Sequence, residues 1–336
     1  MVQRLTVSDH NELTHFPAEA SEPLRSLQSL ELASNRLKNF DISTFPEIRI
    51  LRLDKNSIVR VDNPHKAKHL ETLSMREQTL DLEPKTDHVR IDGCLDIRHL
   101  YLSGNILPTL APKADFLNLQ HLELASSGIQ TLPPEFGQKI ANTRSLNLNF
   151  NALKDIRPLL GIIRLTRLSL AGNRLSRLRR TTAVLARFRT LQELDLRNNP
   201  LTLGFYPPPS TSTESHLVTT HTDNKNRNPD TEDIPASPYD LAPATKTTDT
   251  PYRERLDADT KLRRRVYKML FASGTTLTKL DGLDFERGQV GRRDWVWERL
   301  VEIGVVRLQE REVEEKDEEA DEEERGQDEM GSEEQE

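Results

Sequence analysis

A single cysteine, Cys94, stands in 336 residues, so no disulfide can tie the chain to itself. No Asn-x-Ser/Thr acceptor occurs, and Met1–Asp9 carries no apolar segment behind basic residues that would read as a secretory signal. No apolar run approaches the ~20 residues needed to cross a bilayer, so no membrane partner is expected. Together these absences point to a reducing compartment, cytosol or nucleus. Chemistry is missing as well. There is no phosphate-cradling glycine loop and no Cys-x-x-Cys pair. His65 and His69 come nearest to a metal-ligand spacing, with Glu71 close by, but they follow the Asn63-Pro64 turn and read as solvated surface. Glu31, Asp54, Glu123 and Asp195 have no partner base at a defined spacing. No catalytic set, cofactor or metal is expected.

Charge of one sign is also unevenly spread. The net charge is -7, yet Glu310–Glu336 alone holds 16 acidic and 3 basic residues. A mildly basic body therefore carries an acidic tail.

What the chain does have is a repeat. L-x-L-x-x-N-x-L occurs at Leu30/Leu32/Asn35/Leu37 and at Leu51/Leu53/Asn56/Ile58, then weakened at Leu73/Met75/Gln78/Leu80. It continues at Leu100 with Asn105, Leu122 with Ser127, Leu146 with Asn151, Leu168 with Asn173 and Leu194 with Asn199, in steps of 21 to 27 residues. A ragged earlier copy spans Leu5–Leu13 with Asn11 in phase. L-x-L alternates at period 2 and so is a short strand buried on one face. The asparagine amide both donates and accepts, and so can satisfy the backbone of the turn that follows. Apolar residues three before the first leucine, and others such as Phe40, Val61, Leu110, Leu132, Ile156 and Leu178, complete the interior; Thr143 is the exception. One repeat cannot bury its apolar face, but stacked copies can. The expected fold is α/β: a leucine-rich-repeat solenoid, a right-handed superhelix with a parallel concave sheet and a helical C-terminal cap. Residues 1–206 form the solenoid. Residues 207–251, with 8 prolines and 14 serines or threonines, read as a disordered insertion. Residues 252–308 form the cap, with a first helix whose apolar stripe is Leu262, Val266, Met269 and Leu270, begun by Asp257 or Asp259 and ended by Gly274. A second helix is expected over Asp294–Val306. Residues 309–336 are the tail. At the other end, either the ragged copy acts as its own lid or further residues lie upstream.

Outward positions between the buried leucines form rows across a sheet roughly 35–40 Å wide, at ~4.8 Å per strand. Ile50, Arg52, Arg76, His99, Tyr101, His121, Glu123, Asn147 and Arg167 mark this face as a protein-binding surface, with the aromatic and arginine residues at its centre. The structural ladder is Asn35, Asn56, Asn105, Asn151, Asn173 and Asn199. A basic end gathers Arg177, Arg179, Arg180, Arg187 and Arg189 with Arg263, Arg264 and Arg265 of the cap, where the acidic tail can reach them. Direct nucleic-acid reading is not expected there, because Phe188 is almost the only aromatic among the arginines. Ser237-Pro238 and Thr250-Pro251 are minimal proline-directed phosphorylation sites in the insertion.

The 22-residue period and the Leu280-Asp-Gly-Leu cap resemble the intracellular leucine-rich-repeat group that includes phosphatase-regulatory and spliceosomal subunits. Leu194-Asp-Leu-Arg-Asn-Asn-Pro-Leu-Thr-Leu-Gly-Phe-Tyr-Pro, Lys261-Leu-Arg-Arg-Arg-Val-Tyr-Lys-Met-Leu and Asp294-Trp-Val-Trp-Glu-Arg-Leu are more particular. They resemble the C-terminal module of the fungal spindle-pole-body scaffolds of the septation initiation or mitotic exit network, relatives of centriolin. The resemblance implies a scaffold that binds a core pole protein and tethers a small GTPase and its kinases. Members of that family carry a long N-terminal region that has no counterpart here. The alternative is a protein-binding subunit of a nuclear complex, of spliceosomal or phosphatase-regulatory type.

Overall fold

The computed structural model describes residues 2–8, 12–15, 24–79, 96–107, 115–207, 238–242 and 244–307. The first leucine of each repeat is the middle of a three-residue strand, and among the described residues eleven strands join one sheet in the order of the chain. Arg4–Thr6, Ser29–Glu31, Ile50–Arg52, Thr72–Ser74, His99–Tyr101, His121–Glu123, Ser145–Asn147, Arg167–Ser169 and Glu193–Asp195 run parallel, joined by Lys279–Leu280. Leu283–Asp284 then pairs antiparallel and ends the sheet. Register never slips: Leu5, Leu30, Leu51, Leu73, Leu100, Leu122, Leu146, Leu168, Leu194 and Leu280 line up as partners. A slip of one residue would turn the whole leucine row to solvent. In the first strand Leu5 and Val7 are the residues in phase, whereas the sequence pattern had put Asn11 in phase; Asn11 lies outside the described residues.

Each turn that follows the strands from Ser29–Glu31 to Glu193–Asp195 begins with a left-handed residue. Ser34, Lys55, Glu77, Ser126, Phe150 and Asn198 have φ between 51 and 58°, and Gly104 and Gly172 hold the same place in their repeats. For a residue with a Cβ this conformation costs about 1–2 kcal/mol. The next side chain fixes it. Asn56 Nδ2 donates to Leu53 O in its own repeat and to Leu32 O in the one before, each at 2.9 Å, while its Oδ1 accepts from Leu37 N at 3.1 Å. Asn105, Asn173 and Asn199 repeat this double donation and single acceptance. Asn35 donates to Val7 O and Leu32 O, but its Oδ1 is buried without a partner. Gln78 does the work of an asparagine in the third repeat, bonding Leu53 O and Ile58 N. Ser127 is too short to reach its neighbours, so Asn151 Oδ1 accepts from both Ser127 N and Ile129 N.

The interior is closed opposite the sheet by Phe40 and Val61, partners in a second two-stranded ribbon, and by Leu132 and Ile156; Leu178 is half-buried and Leu110 lies outside the described residues. Thr143 occupies an apolar position fully buried, with its hydroxyl unpartnered.

The composition of 207–251 reads as disordered throughout, but its described residues are built into the fold. Within 207–251, residues 238–242 lie against the solenoid and Lys246–Arg255 is a helix, begun by Thr245, whose hydroxyl accepts from Thr248 N. Local polarity does not forbid this, because the contacts come from distant repeats. Ala258–Gly274 is the main cap helix, with Asp257 at its start. Its buried face is Thr260, Arg264, Tyr267 and Phe271, whereas the Leu262, Val266, Met269 and Leu270 stripe is only half-buried. The aromatic stripe wins because the Tyr267 hydroxyl reaches Asp281 Oδ2 at 2.7 Å and its ring meets Phe205 and Phe271 edge-on. Tyr206 bonds the same carboxyl oxygen, and Asp281 Oδ1 accepts from Leu196 N, so a fully buried acid locks the cap to the last repeat. The last helix is Trp295–Glu302, shorter than expected at its far end, with Val296 and Leu300 inward and Trp295 about half exposed.

Asn151→Ala removes at once the bonds donated to Leu124 O, Leu148 O and Asn149 O and the two accepted from Ser127 N and Ile129 N. It should lower stability by ~1–3 kcal/mol, read as a lower denaturant midpoint at unchanged slope. A midpoint equal to that of the native chain would contradict the role given to the ladder.

Candidate functional site

The concave rows come together as the sequence placed them, but the centre is not open. Arg76 reaches across the His99–Tyr101 strand to Glu123 and binds it through two parallel bonds, Nε–Oε1 and Nη2–Oε2, both 2.8 Å. Its guanidinium lies 4.5 Å from the centre of the Tyr101 ring beneath. The Tyr101 and His121 rings pack 4.9 Å apart. Asp54 receives Ser74 Oγ at 2.6 Å and Arg76 N at 2.8 Å. Arg76, Tyr101 and Glu123 are at most 6% exposed, so the exposed hot spot expected at the centre is instead a buried ionic and aromatic cluster. An arginine long enough to span a strand finds a carboxylate there, and the pair covers the ring between them.

Electrostatics follow from burial. Burial opposes charge on Arg76, but Glu123 and Asp54 hold the guanidinium ionised. Asp54 is pushed up by burial more than its hydrogen bonds bring it down. His121 is pushed down to about 4 by burial, with His99, Arg76 and Arg167 acting the same way against Glu123, so it is neutral. Burial also raises Tyr101. Two buried polar atoms of this cluster, Tyr101 Oη and His121 Nε2, have no hydrogen-bond partner.

Around this centre Ile50, Arg52 and His99 are half-buried and Arg167 is exposed. Arg52 lies 3.6 Å from Glu31, His99 Nδ1 is 3.3 Å from Thr72 Oγ1, and Arg167 Nε bonds Glu193 at 2.7 Å. Asn147 is buried and donates out of the sheet to Asp240 Oδ1 at 2.8 Å. That bond belongs to a segment the sequence reading missed. Tyr239 donates its hydroxyl to Glu77 Oε1 at 3.1 Å, Asn149 Nδ2 donates to Tyr239 O at 3.2 Å, and Arg197 Nη1 donates to Ala242 O at 2.9 Å. The available signal was that Tyr239 is the only aromatic residue between Tyr206 and Tyr252.

Among the described residues no three His, Cys, Asp or Glu groups could hold a metal. His69 faces Glu47 at 3.7 Å across an exposed surface. No described helix is long and apolar enough to cross a membrane.

Both family models that match the chain describe leucine-rich repeats, over residues 117–175 and 190–212. This chain is a leucine-rich-repeat protein. It is 36% identical over 167 residues to the septation initiation network scaffold protein cdc11 of Schizosaccharomyces pombe, a match covering 50% of this chain and 16% of the relative. Human podocan-like protein 1 is 29% identical over 57% of this chain and 34% of its own length. This chain thus spans much less than two thirds of either relative. Among solved structures, human 5T4 superposes with a TM-score of 0.47 at 20% identity, covering 58% of this chain and 81% of that one.

The basic end is split by its contacts. Arg177, Arg179, Arg180, Arg187 and Arg189 are exposed on and beside the Leu178–Leu185 helix, and Arg177 and Arg180 line a groove of about 610 Å3. Arg264, in contrast, is buried against Asp249 at 2.6 Å, Arg265 pairs with Asp294, and Arg263 reaches Leu203 O. Arg264 and Arg265 therefore join the cap's own helices, while exposed Arg263 ties the cap to the last repeat. Thr250 is exposed, but it sits in the Lys246–Arg255 helix beside the buried Asp249, not in an unstructured stretch; Ser237 and the acidic tail lie outside the described residues.

Two outcomes follow. Arg76→Met leaves Glu123 buried without its partner and should cost ~3–5 kcal/mol, most of it recovered when Glu123→Met is added; equal losses in both variants would contradict the pairing. Asp240 is raised to about 6 from 3.8, by burial first and then by Glu123 and Asp195, against Arg167 and Arg76. Its raised value favours the docked segment fully below its ordinary 3.8, and this contribution is lost as pH rises through about 6. Relative to Asp240→Asn, the native chain should lose thermal stability between about pH 4 and pH 7. A difference that stays flat across that range would remove Asp240 from the docked contact.

Proposed function

We propose that this chain is a non-catalytic protein-binding scaffold that anchors septation or mitotic-exit signalling components at the spindle pole body. The observation that carries the reading is the 36% identity, over half of this chain, with a septation initiation network scaffold. The concave face supports it: around its buried centre the sheet of parallel strands presents Ile50, Arg52, His99 and Arg167 at least in part to solvent, on an area suited to a standard protein interface. Among the described residues, the buried acids Glu123 of the concave face and Asp249 of the cap are each taken up by an arginine, Arg76 and Arg264. On this reading the partners are a core pole protein and, through it or beside it, a small GTPase and kinases.

A fluorescent fusion of the chain, followed through mitosis in fission yeast, should form foci at the spindle poles. A uniform nuclear signal or nuclear speckles would instead favour a subunit of a nuclear complex, and a uniform cytosolic signal would overturn the pole assignment.

A further inference from the structure

We propose that the concave face holds a binding site for an extended peptide that presents a tyrosine followed by an aspartate or asparagine, and that this chain's own Tyr239–Ala242 is the resident occupant that a partner displaces. The inference deepens the protein-binding reading above and rests on it.

The resident segment engages the sheet as a ligand would. Its tyrosine hydroxyl, its tyrosine carbonyl, its aspartate side chain and its Ala242 carbonyl together bond three repeats, through Glu77, through Asn149 and Asn147 of one repeat, and through Arg197. Main-chain acceptors taken up by side chains of a rigid scaffold give affinity, and side-chain contacts give selectivity. The scaffold leaves room for them. A Cβ on Gly104 would stand 2.3 Å from Tyr239 Oη, and one on Gly282 would stand 3.0 Å from Ala244 N. Both positions are left-handed, so the turns are built with the open space this path needs.

The fit is incomplete. Tyr101 Oη and His121 Nε2 are buried in the same concave face and bond nothing, and a buried polar group left unpaired costs binding free energy. Burial of the docked Asp240 opposes its charge, and the negative field of Glu123 acts the same way, against Arg167 and Arg76. A partner that carries asparagine in place of this aspartate, or that satisfies the two orphan atoms, binds better than the resident segment. The cluster of Tyr101 and His121 is thus the place where a foreign peptide gains over the native one.

The test uses the full chain and a synthetic peptide of residues 236–245. Tyr239→Ala with Asp240→Ala empties the site; the emptied chain should bind the peptide at least tenfold more tightly than the native chain. Adding Glu77→Ala should remove most of that gain, and the peptide carrying Asp240→Asn should bind the emptied chain more tightly than the native peptide. If the emptied chain, folded by circular dichroism, binds no better than the native chain, or if the gain survives Glu77→Ala, the proposal fails. Should the emptied variant not fold, hydrogen exchange on the native chain decides: excess peptide must speed exchange of the amides at 239–242, and unchanged exchange overturns the proposal. Native chain that gathers at spindle poles but fails this test loses the peptide site alone, whereas diffuse chain that passes it keeps the site and loses the pole assignment.

Discussion

The structure depends on one requirement, that the backbone leaving each strand be hydrogen-bonded inside a core with no water. A left-handed residue turns the chain sharply out of the sheet, and its conformation exposes carbonyls that point inward. A single amide per repeat meets the need, bonding two carbonyls in adjacent repeats and one N–H. The ladder therefore ties each repeat to the one before it as much as to itself, which is why the leucine rows hold one register from Leu5 to Leu280. Where the amide changes, the geometry adapts by length: Gln78 reaches as far as asparagine does, while Ser127 cannot, and Asn151 takes a second N–H in its place.

The same economy governs the C-terminal end. Asp281 is a buried acid, held by Tyr206, Tyr267 and Leu196 N, and burial together with Asp195 raises it to about 6. It lets the cap helix close the stack through hydroxyl groups and not through a continuous leucine stripe. Arg264 and Asp249 then tie the Lys246–Arg255 helix to the cap helix, which brings the preceding residues, 238–242, within reach of the concave face.

The period-2 leucines and the asparagine at a fixed offset made the sheet, its register and the outward rows legible from sequence, because each is set by neighbours within one repeat. Burial of those outward rows was not legible. Arg76 and Glu123 are 47 residues apart, and Tyr239 and Glu77 are 162 apart. Periodicity assigns a side chain to a face but says nothing of what arrives to cover it. The cap helix failed in the same way: Leu262, Val266, Met269 and Leu270 form a plausible apolar stripe, but the buried face was decided by a carboxylate fourteen residues past Tyr267. Arg264 and Arg265 read as a basic surface for an equivalent reason, since their acids come from other elements.

A resident segment this close to its own anchor binds at high effective concentration. Ala242 is held by Arg197, and the helix that follows starts four residues later at Lys246 with Thr245 at its cap. A short tether gives an effective concentration on the order of millimolar, which a free partner rarely reaches. Weakness of the resident contact is then what keeps the site usable: had Tyr239–Ala242 satisfied Tyr101 and His121 and carried no carboxylate against Glu123, a partner would have nothing left to gain. Tyr101 Oη and His121 Nε2 stay unpaired with the resident segment in place, and a partner that bonds them would shift the population by that difference in affinity alone.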